Sequence, residues 1–461
     1  MKAPALRVAA WLVCAGAPAG LPAATLHGVL SNGPPANRVN VTFLAEGYTS
    51  NQLALFRADA TNALEHLLAR QPFLEYRPYF NAQAIAVAST QAGVDHPLNS
   101  INKNTYFNAA FIDAADTIIA IPPHVPWDTN YSRGQGKVDA LLQTHAPATA
   151  LAVLLVNDSY GGSGGATVVS SRQDFSLENI VPHETAHTLA GLGDEYETPY
   201  PGYPDVEEPN TTRETNRHLI KWRAWIEPDT PLPTPPDTPG DVVGLFEGAH
   251  YHSTGWYRPQ FDCLMRSLYV PFCKVCTETL ILSFYRHARP VDAFSPASTN
   301  LLVTNTSPLT FAVTPLRPAT HALRIQWLTN GTPVAGATNE TLPLSPADLG
   351  RGTNHVSAVV RDDTPWVRND PSNRLSQTLT WTVRVETPAL ALAAPRWLGA
   401  GRFTFVVTGA APAGFSILAA TNTSNWTALT TNTLVNGQFR YTNTAATQPW
   451  RFFRARTPPG P

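Results

Sequence analysis

Sulfur and charge are both scarce in this chain: of 461 residues, two are methionine, four are cysteine, and only 14% are charged, where about 25% is usual. Basic and acidic residues nearly cancel, 32 against 34, for a net charge of −2. No basic field exists to hold nucleic acid or an anionic membrane, so neither is expected as a partner. No apolar run reaches the roughly 20 residues that span a bilayer. Pro (42) and Gly (29) are plentiful, which favours a loop- and strand-rich extracellular chain. The length exceeds what one core supports, since cores stop growing at roughly 250 to 300 residues.

The N-terminus places Lys2 and Arg7 ahead of an apolar run from Val8 to about Gly20, then Leu21-Pro22-Ala23-Ala24. Positive start, short apolar core and small-residue exit describe a secretory signal peptide over residues 1–24. The expected location is therefore secreted or periplasmic. Cys14 would leave with that segment, and Cys263, Cys273 and Cys276 remain. In an oxidising compartment a disulfide from Cys263 to Cys273 or Cys276 is expected, with one thiol left over. A Cys-x-x-Cys half-site for zinc competes but lacks a second pair of the usual spacing.

Val39 to Phe43 alternates like a strand, and Thr49 or Ser50 can cap a helix with Leu53, Phe56, Ala60, Leu64 and Leu67 on one face. Further strands fit Ile85–Val87, Thr117–Ile121 and Ala150–Val156, which together suggest an α/β catalytic region over 25–290. The loop Tyr160-Gly161-Gly162-Ser163-Gly164-Gly165 has neither phosphate-cradle pattern and reads as a turn at a sheet edge. Asn157 and Gly161 could border an edge along which a peptide lies extended. Past Pro290 short alternating runs predict an Ig-like all-β sandwich over 291–387 and a second all-β module over 388–461.

The segment His183 to Tyr196 reads HETAHTLAGLGDEY. Two His four apart on a helix share a face and can grip one zinc ion, with Glu184 beside them to take a proton from a metal-activated water. A helix start is expected at Val181 or Pro182, because proline suits the first helical position. Catalytic zinc needs a third protein ligand and one open position. Gly191 and Gly193 let the chain double back, so Asp194 or Glu195 can supply that ligand, as a glycine turn does in the metzincin pattern HExxHxxGxxH. Asp194 is preferred for its shorter side chain. A later glutamate, Glu207, Glu208 or Glu214, ranks second, since the first two lie in an unhelical stretch. Met265, the only methionine after Met1, fits the Met-turn of that pattern. Tyr257 or Arg258 could stabilise an oxyanion or merely wall the cleft. His250 and His252 are not expected as ligands.

HETAHTLAGLGDEY is similar to the HExGHxxxxLxDEY core of the IgA-peptidase family of zinc metallopeptidases, which are metzincin-like. The likeness continues in Phe43-Leu44-Ala45-Glu46-Gly47-Tyr48-Thr49, Asn157 to Gly162, Glu208-Pro209-Asn210, Lys221-Trp222, Gly244 to Ala249, Arg258-Pro259 and the cysteine cluster around Met265. It spans about residues 37 to 290. Ala186 stands where the family has glycine. The resemblance implies one catalytic zinc held by His183, His187 and Asp194, Glu184 as general base, and hydrolysis of protein or peptide substrates. It leaves the oligomeric state and the substrate open. A non-catalytic extracellular binder with a structural or vestigial metal is the rival reading, and a variant acting on glycosylated proteins would use Trp397, Trp426 and Trp450 for stacking.

Overall fold

The computed structural model describes residues 24–238, 240–304, 307–386, 389–409, 414–444 and 451–457. The expected signal segment, apart from Ala24, lies outside the described residues, as do Cys14, Trp450 and the module boundary at Pro388. The chain divides into two compact units. The first runs up to Pro290 and also takes in 316–322 and 362–375; the second comprises 291–315, 323–361 and the chain from Ser376 onward.

In chain order the first unit contains β1 (Thr25–Leu30), β2 (Val39–Glu46), α1 (Leu53–Leu68), β3 (Phe80–Ala86), β4 (Ala110–Phe111), β5 (Ile119–Ala120), α2 (Gln135–His145), β6 (Leu151–Val156), β7 (Gly162–Ser163) and β8 (Val168–Ser171). A π-turn (Ser176–Ile180) then leads into α3 (Val181–Ala190), β9 (Phe246–Ala249), β10 (His252–Arg258) and α4 (Lys274–His287). Six strands form one sheet in the order β1-β3-β2-β6-β8-β7. The four central strands are parallel and both outer pairs antiparallel.

Parallel central strands are covered on both faces, which requires near-continuous burial. β6, LAVLLV, meets this with six buried residues. β2 is also buried throughout, so its alternating Asn40 and Thr42 do not mark a solvent face. Asn40 Nδ2 donates to Pro35 O (2.8 Å) and Ala148 O (3.1 Å), and Thr42 Oγ1 shares a hydrogen bond with Thr149 Oγ1 (2.7 Å). These bonds offset the cost of burying polar groups. Glu46 ends β2 fully buried and accepts from Thr105 Oγ1 (2.7 Å) and the amides of Phe107 (2.9 Å) and Ala109 (2.8 Å). Burial still pushes its carboxyl up against those donors. Before α1, Thr49 and Gln52 form a reciprocal capping box.

The segments 316–322 and 362–375 bring a second buried polar knot to the first unit. His321 Nδ1 meets Glu75 Oε1 at 2.7 Å and its Nε2 meets Asp362 Oδ1 at 2.8 Å. Tyr76 and Tyr285 both donate to Asp362 Oδ2 at 2.7 Å. Burial opposes charge on this imidazole, but Asp362 and Glu75 outweigh it and raise its pKa.

The second unit is all-β apart from one helical turn. Strands β11 (Val291–Ser295), β13 (Leu309–Pro315) and β16 (Thr341–Leu344) form one sheet. Strands β12 (Asn300–Val303), β18 (Ser376–Val385), β17 (Gly352–Arg361), β14 (Arg324–Thr329) and β15 (Thr332–Pro333) form the facing one, in that order. Phe311 and Val313 from the first and Trp327, Val356 and Trp381 from the second share a core, as a sandwich requires. Further on, two three-stranded sheets cover 391–456, around a small core of Phe405, Val407, Phe415 and Ile417. Among the described residues no helix is long and apolar enough to cross a membrane.

Candidate metal centre

α3 begins at Val181 with Pro182 in its first turn, where a missing N–H is harmless. His183 and His187, one turn apart, share a face, with ring centroids 4.8 Å apart. Gly191 ends the helix at φ 67°, its N–H returning to His187 O (2.9 Å). That left-handed backbone is where glycine is favoured. Asn210 then grips the returning strand, accepting from Gly193 N–H (2.7 Å) and donating to Gly193 O (2.8 Å). A Cβ at Gly193 would come within 2.5 Å of Glu208.

The chain leaves this turn pinned on two sides. His250 N–H bonds Asp194 O (3.0 Å) and Glu195 N–H bonds Met265 O (2.9 Å). Successive side chains of an extended segment point oppositely. Asp194 accordingly faces the two imidazoles, while Glu195 faces the cysteines.

His183 Nε2 and His187 Nε2 lie 3.1 Å apart, and Asp194 Oδ1 is 3.1 and 3.3 Å from them. Each Nδ1 is against a backbone carbonyl, Leu264 O at 2.9 Å for His183 and Leu192 O at 2.6 Å for His187. A carbonyl accepts only, so each Nδ1 carries a proton and each Nε2 is the atom turned inward, free to present a lone pair once a metal replaces any proton held there. Two imidazole nitrogens and a carboxylate converging in a buried space call for positive charge among them, which a proton supplies in the metal-free protein and a metal ion can supply in its place. Four-coordinate zinc ligands at about 2.0 to 2.1 Å would stand roughly 3.3 Å apart. The donor set therefore fits a small divalent ion with one position left open.

Burial disfavours charge on both imidazoles, yet Asp194 prevails and lifts His187 to about 9 and His183 in the same direction. Asp194 is held well below the usual carboxylate range despite its burial. Glu184 is pushed up by burial, only partly countered by the two histidines. Among the described residues no group hydrogen-bonds its carboxylate. Gly164 lies so close that a Cβ there would come within 2.5 Å of Glu184 Oε2. The glycine loop after β7 thus forms one wall of the site, and a side chain at Gly164 would push the Glu184 carboxylate from its place.

Two aromatic residues not flagged by the sequence complete the surroundings. Tyr251, at φ 58°, donates to Asp194 Oδ2 at 2.5 Å. The Tyr196 ring lies parallel to His183 within 20°, centroids 6.1 Å apart. Tyr251 stands between His250 and His252, and its left-handed backbone position leaves no mark in the sequence. Tyr196 stood in view in DEY, though its ring contact is not a sequence feature.

Tyr257 and Arg258 hydrogen-bond to groups other than His183, His187 and Asp194. Tyr257 pairs through its backbone with Thr212 and is part-buried against the main core. Arg258 donates to the carbonyls of Glu247, Gly248 and Phe261 and lines, with Glu197, Arg266 and Pro233–Pro236, a cleft of about 610 Å³. His250 is closed between Glu208 and Pro204 O, and His252 meets His250 O. Glu207 and Glu214 accept from the local amides of Arg213 and Asn216. Asn157 donates to Gly47 O. The outer side of β7 is taken by Thr117 O, which accepts from Gly162, and by the bridge from Ile118. Gly161 O accepts from Ser171. Neither Asn157 nor Gly161 therefore borders a free strand edge. Trp397 is 61% exposed, whereas Trp426 is covered by the Arg454 guanidinium at 4.3 Å.

The expected disulfide is not present. Cys263, Cys273 and Cys276 are all free and buried. Three sulfurs and the Glu195 carboxylate converge within 4.8 Å of one another, so the thiols are arranged around a shared centre rather than as a pair and a spare. Counting cysteines missed the fourth member because it lies far upstream.

No curated protein sequence matches this chain. Among solved structures, the fibronectin(III)-like modules of Clostridium thermocellum CbhA match at 12% identity over 33% of this chain and 78% of theirs. The TM-score of 0.16 is too low for that likeness to carry an argument. The family model described as IgA Peptidase M64 matches residues 28–240 and 236–284, more than half of the chain and the whole of the helix, glycine turn and cysteine segment just described. The chain belongs to this peptidase family.

Proposed function

We propose that this peptidase is an exported, zinc-dependent metalloendopeptidase, with His183, His187 and Asp194 as ligands and Glu184 as general base. The observation that carries the reading is the pair of Nε2 atoms, 3.1 Å apart with Asp194 beside them and both Nδ1 atoms held by carbonyls. Nitrogen and carboxylate donors of this kind suit zinc. When bound, the ion supplies Lewis acidity and brings the pKa of a coordinated water down to about 7. The protein's own groups do the rest. Glu184, its carboxyl raised by burial, is poised to take a proton from the attacking water and deliver it to the leaving amine. Tyr251 holds the second oxygen of Asp194, fixing the carboxylate's orientation. The glycine turn at Gly191 and the buried Met265, next in the chain to the Leu264 carbonyl that holds His183, support a metzincin-like arrangement. Export rests on the leader-like N-terminus, and extracellular proteins are the substrate class that follows from it.

The test is hydrolysis of an unfolded protein by wild type and Glu184→Gln, each with its zinc content measured and with a chelator arm. The variant is expected to keep its metal and lose about 10²- to 10⁴-fold in turnover. A zinc-loaded wild type that cleaves no protein offered would overturn the reading.

A further inference from the structure

We infer that Cys263, Cys273, Cys276 and Glu195 form a second metal site, a closed four-coordinate structural zinc site. It is independent of the catalytic centre proposed above. All four side chains are buried: Cys263, Cys276 and Glu195 are 0% exposed and Cys273 is 4%. Their donor atoms lie within 4.8 Å of one another. Tetrahedral zinc with sulfur at about 2.3 Å requires ligand separations of roughly 3.5 to 3.8 Å, so small side-chain adjustments suffice.

A second observation, separate from the clustering, points to a cation. Glu195 Oε1 accepts from Asn210 Nδ2 (2.9 Å) and Cys276 Sγ (3.4 Å), but Oε2 is buried with no hydrogen-bond partner. An unpartnered buried carboxylate oxygen is costly. Arg258 offsets the burial of this carboxylate through its charge but gives Oε2 no hydrogen bond, its guanidinium being committed to the carbonyls of Glu247, Gly248 and Phe261. The sulfurs are also set up as acceptors. Cys263 Sγ receives the Cys273 amide (3.2 Å), and Cys273 Sγ, at the N-cap of α4, receives the Cys276 amide (3.4 Å). Against its burial, the surrounding donors and the helix N-terminus favour thiolate at Cys273, whereas burial pushes the Cys263 and Cys276 thiols up, a cost that a bound cation would offset.

Three thiolates and a carboxylate fill a tetrahedron and leave no corner for water, which marks a structural site. Soft sulfur ligands select zinc over magnesium or calcium. Loading releases up to three thiol protons to solvent, and nothing is oxidised or reduced. The ion would join three segments: the strand after the glycine turn, the Cys263–Met265 stretch and the start of α4. That stretch carries the carbonyls that orient His183 and anchor Glu195. The second ion would therefore set the floor beneath the first.

The experiment measures zinc and thiols on the full chain, with Cys14→Ser throughout so that only the three clustered thiols count. Wild type should hold two zinc equivalents, and His183→Ala/His187→Ala should hold one. An organomercurial titrating the three thiols of the double variant should release that one equivalent, and cobalt substitution should give a sulfur-to-cobalt charge-transfer band. Glu195→Gln, which preserves shape, should weaken zinc retention by about 100-fold or more, and Cys276→Ser should lose the band. A double variant without metal overturns the inference, as does a disulfide within 263–276 or thiols that react without releasing zinc. Loss of peptidase activity with the cysteine site still loaded would count against the catalytic reading alone.

Discussion

Asp194 and Glu195 are neighbours in sequence and belong to two different clusters. Asp194 joins two imidazoles in a pocket that keeps a free corner, with His187 part-exposed; Glu195 joins three sulfurs in a space sealed on every side. Turnover needs a vacant coordination position, whereas mechanical support needs none. The difference teaches that an acidic pair can serve both needs, provided the backbone is extended and each face is pinned separately, by His250 and by Met265.

Four changes break or sharpen this contrast. The largest effect is expected from Asp194→Asn, which should take proteolysis to background. A variant that still cleaves at the wild-type rate would remove Asp194 from the first cluster. Glu195→Gln should do the reverse: turnover persists, but the fold loses about 3 kcal/mol, the usual cost of removing one partner from a buried charged set. Denaturant melts read this, and an unaltered midpoint would dissolve the distinction. Tyr251→Phe should weaken the first site alone, by about 10- to 100-fold in metal affinity, measured by competition with a chromogenic chelator. Gly191→Ala should strain the turn that carries the chain from α3 to both acids, costing about 1 kcal/mol through the positive φ, with both clusters affected together.

The smallest effect belongs to a third set of the same residue types. In the Glu75–His321–Asp362 knot both ring nitrogens face carboxylates, so the imidazole holds a proton instead of offering a lone pair. Its folded pKa is raised above the ordinary imidazole value of 6.5. Its stabilising share is therefore complete below about 6.5 and lost as pH rises through the raised value. The difference in melting temperature between wild type and His321→Gln should be larger at about pH 6 than at about pH 9. Equal differences at both would show that the proton is not shared as described.

Much of the first cluster was legible because it is local. Two histidines at helical spacing, proline at the helix start and glycine after it act through nearest-neighbour geometry, so HETAH and the turn to Asp194 could be read directly. The choice between Asp194 and Glu195 could not, because it depends on which face of a strand meets Met265 and which meets His250. The cysteines misled for a related reason. Spacing counts sulfurs, and a carboxylate from another segment leaves no mark near them. Tyr251 was equally silent, since its role comes from a left-handed backbone position that brings its hydroxyl to Asp194. Among the strands, the apolar run at 150–156 and the alternation at 39–43 were visible, but burial of Asn40 and Thr42 required partners at Pro35, Ala148 and Thr149.

The first unit is not a single stretch of chain. Anyone trimming this protein for expression would be tempted to stop at Pro290, just past the end of the peptidase match at residue 284. That cut would discard Asp362 and His321 and strand two tyrosine hydroxyls and Glu75 without their counterparts. A shorter gene product would thus be an incomplete enzyme body, and swapping its tail for another module would succeed only if both loops travelled with it.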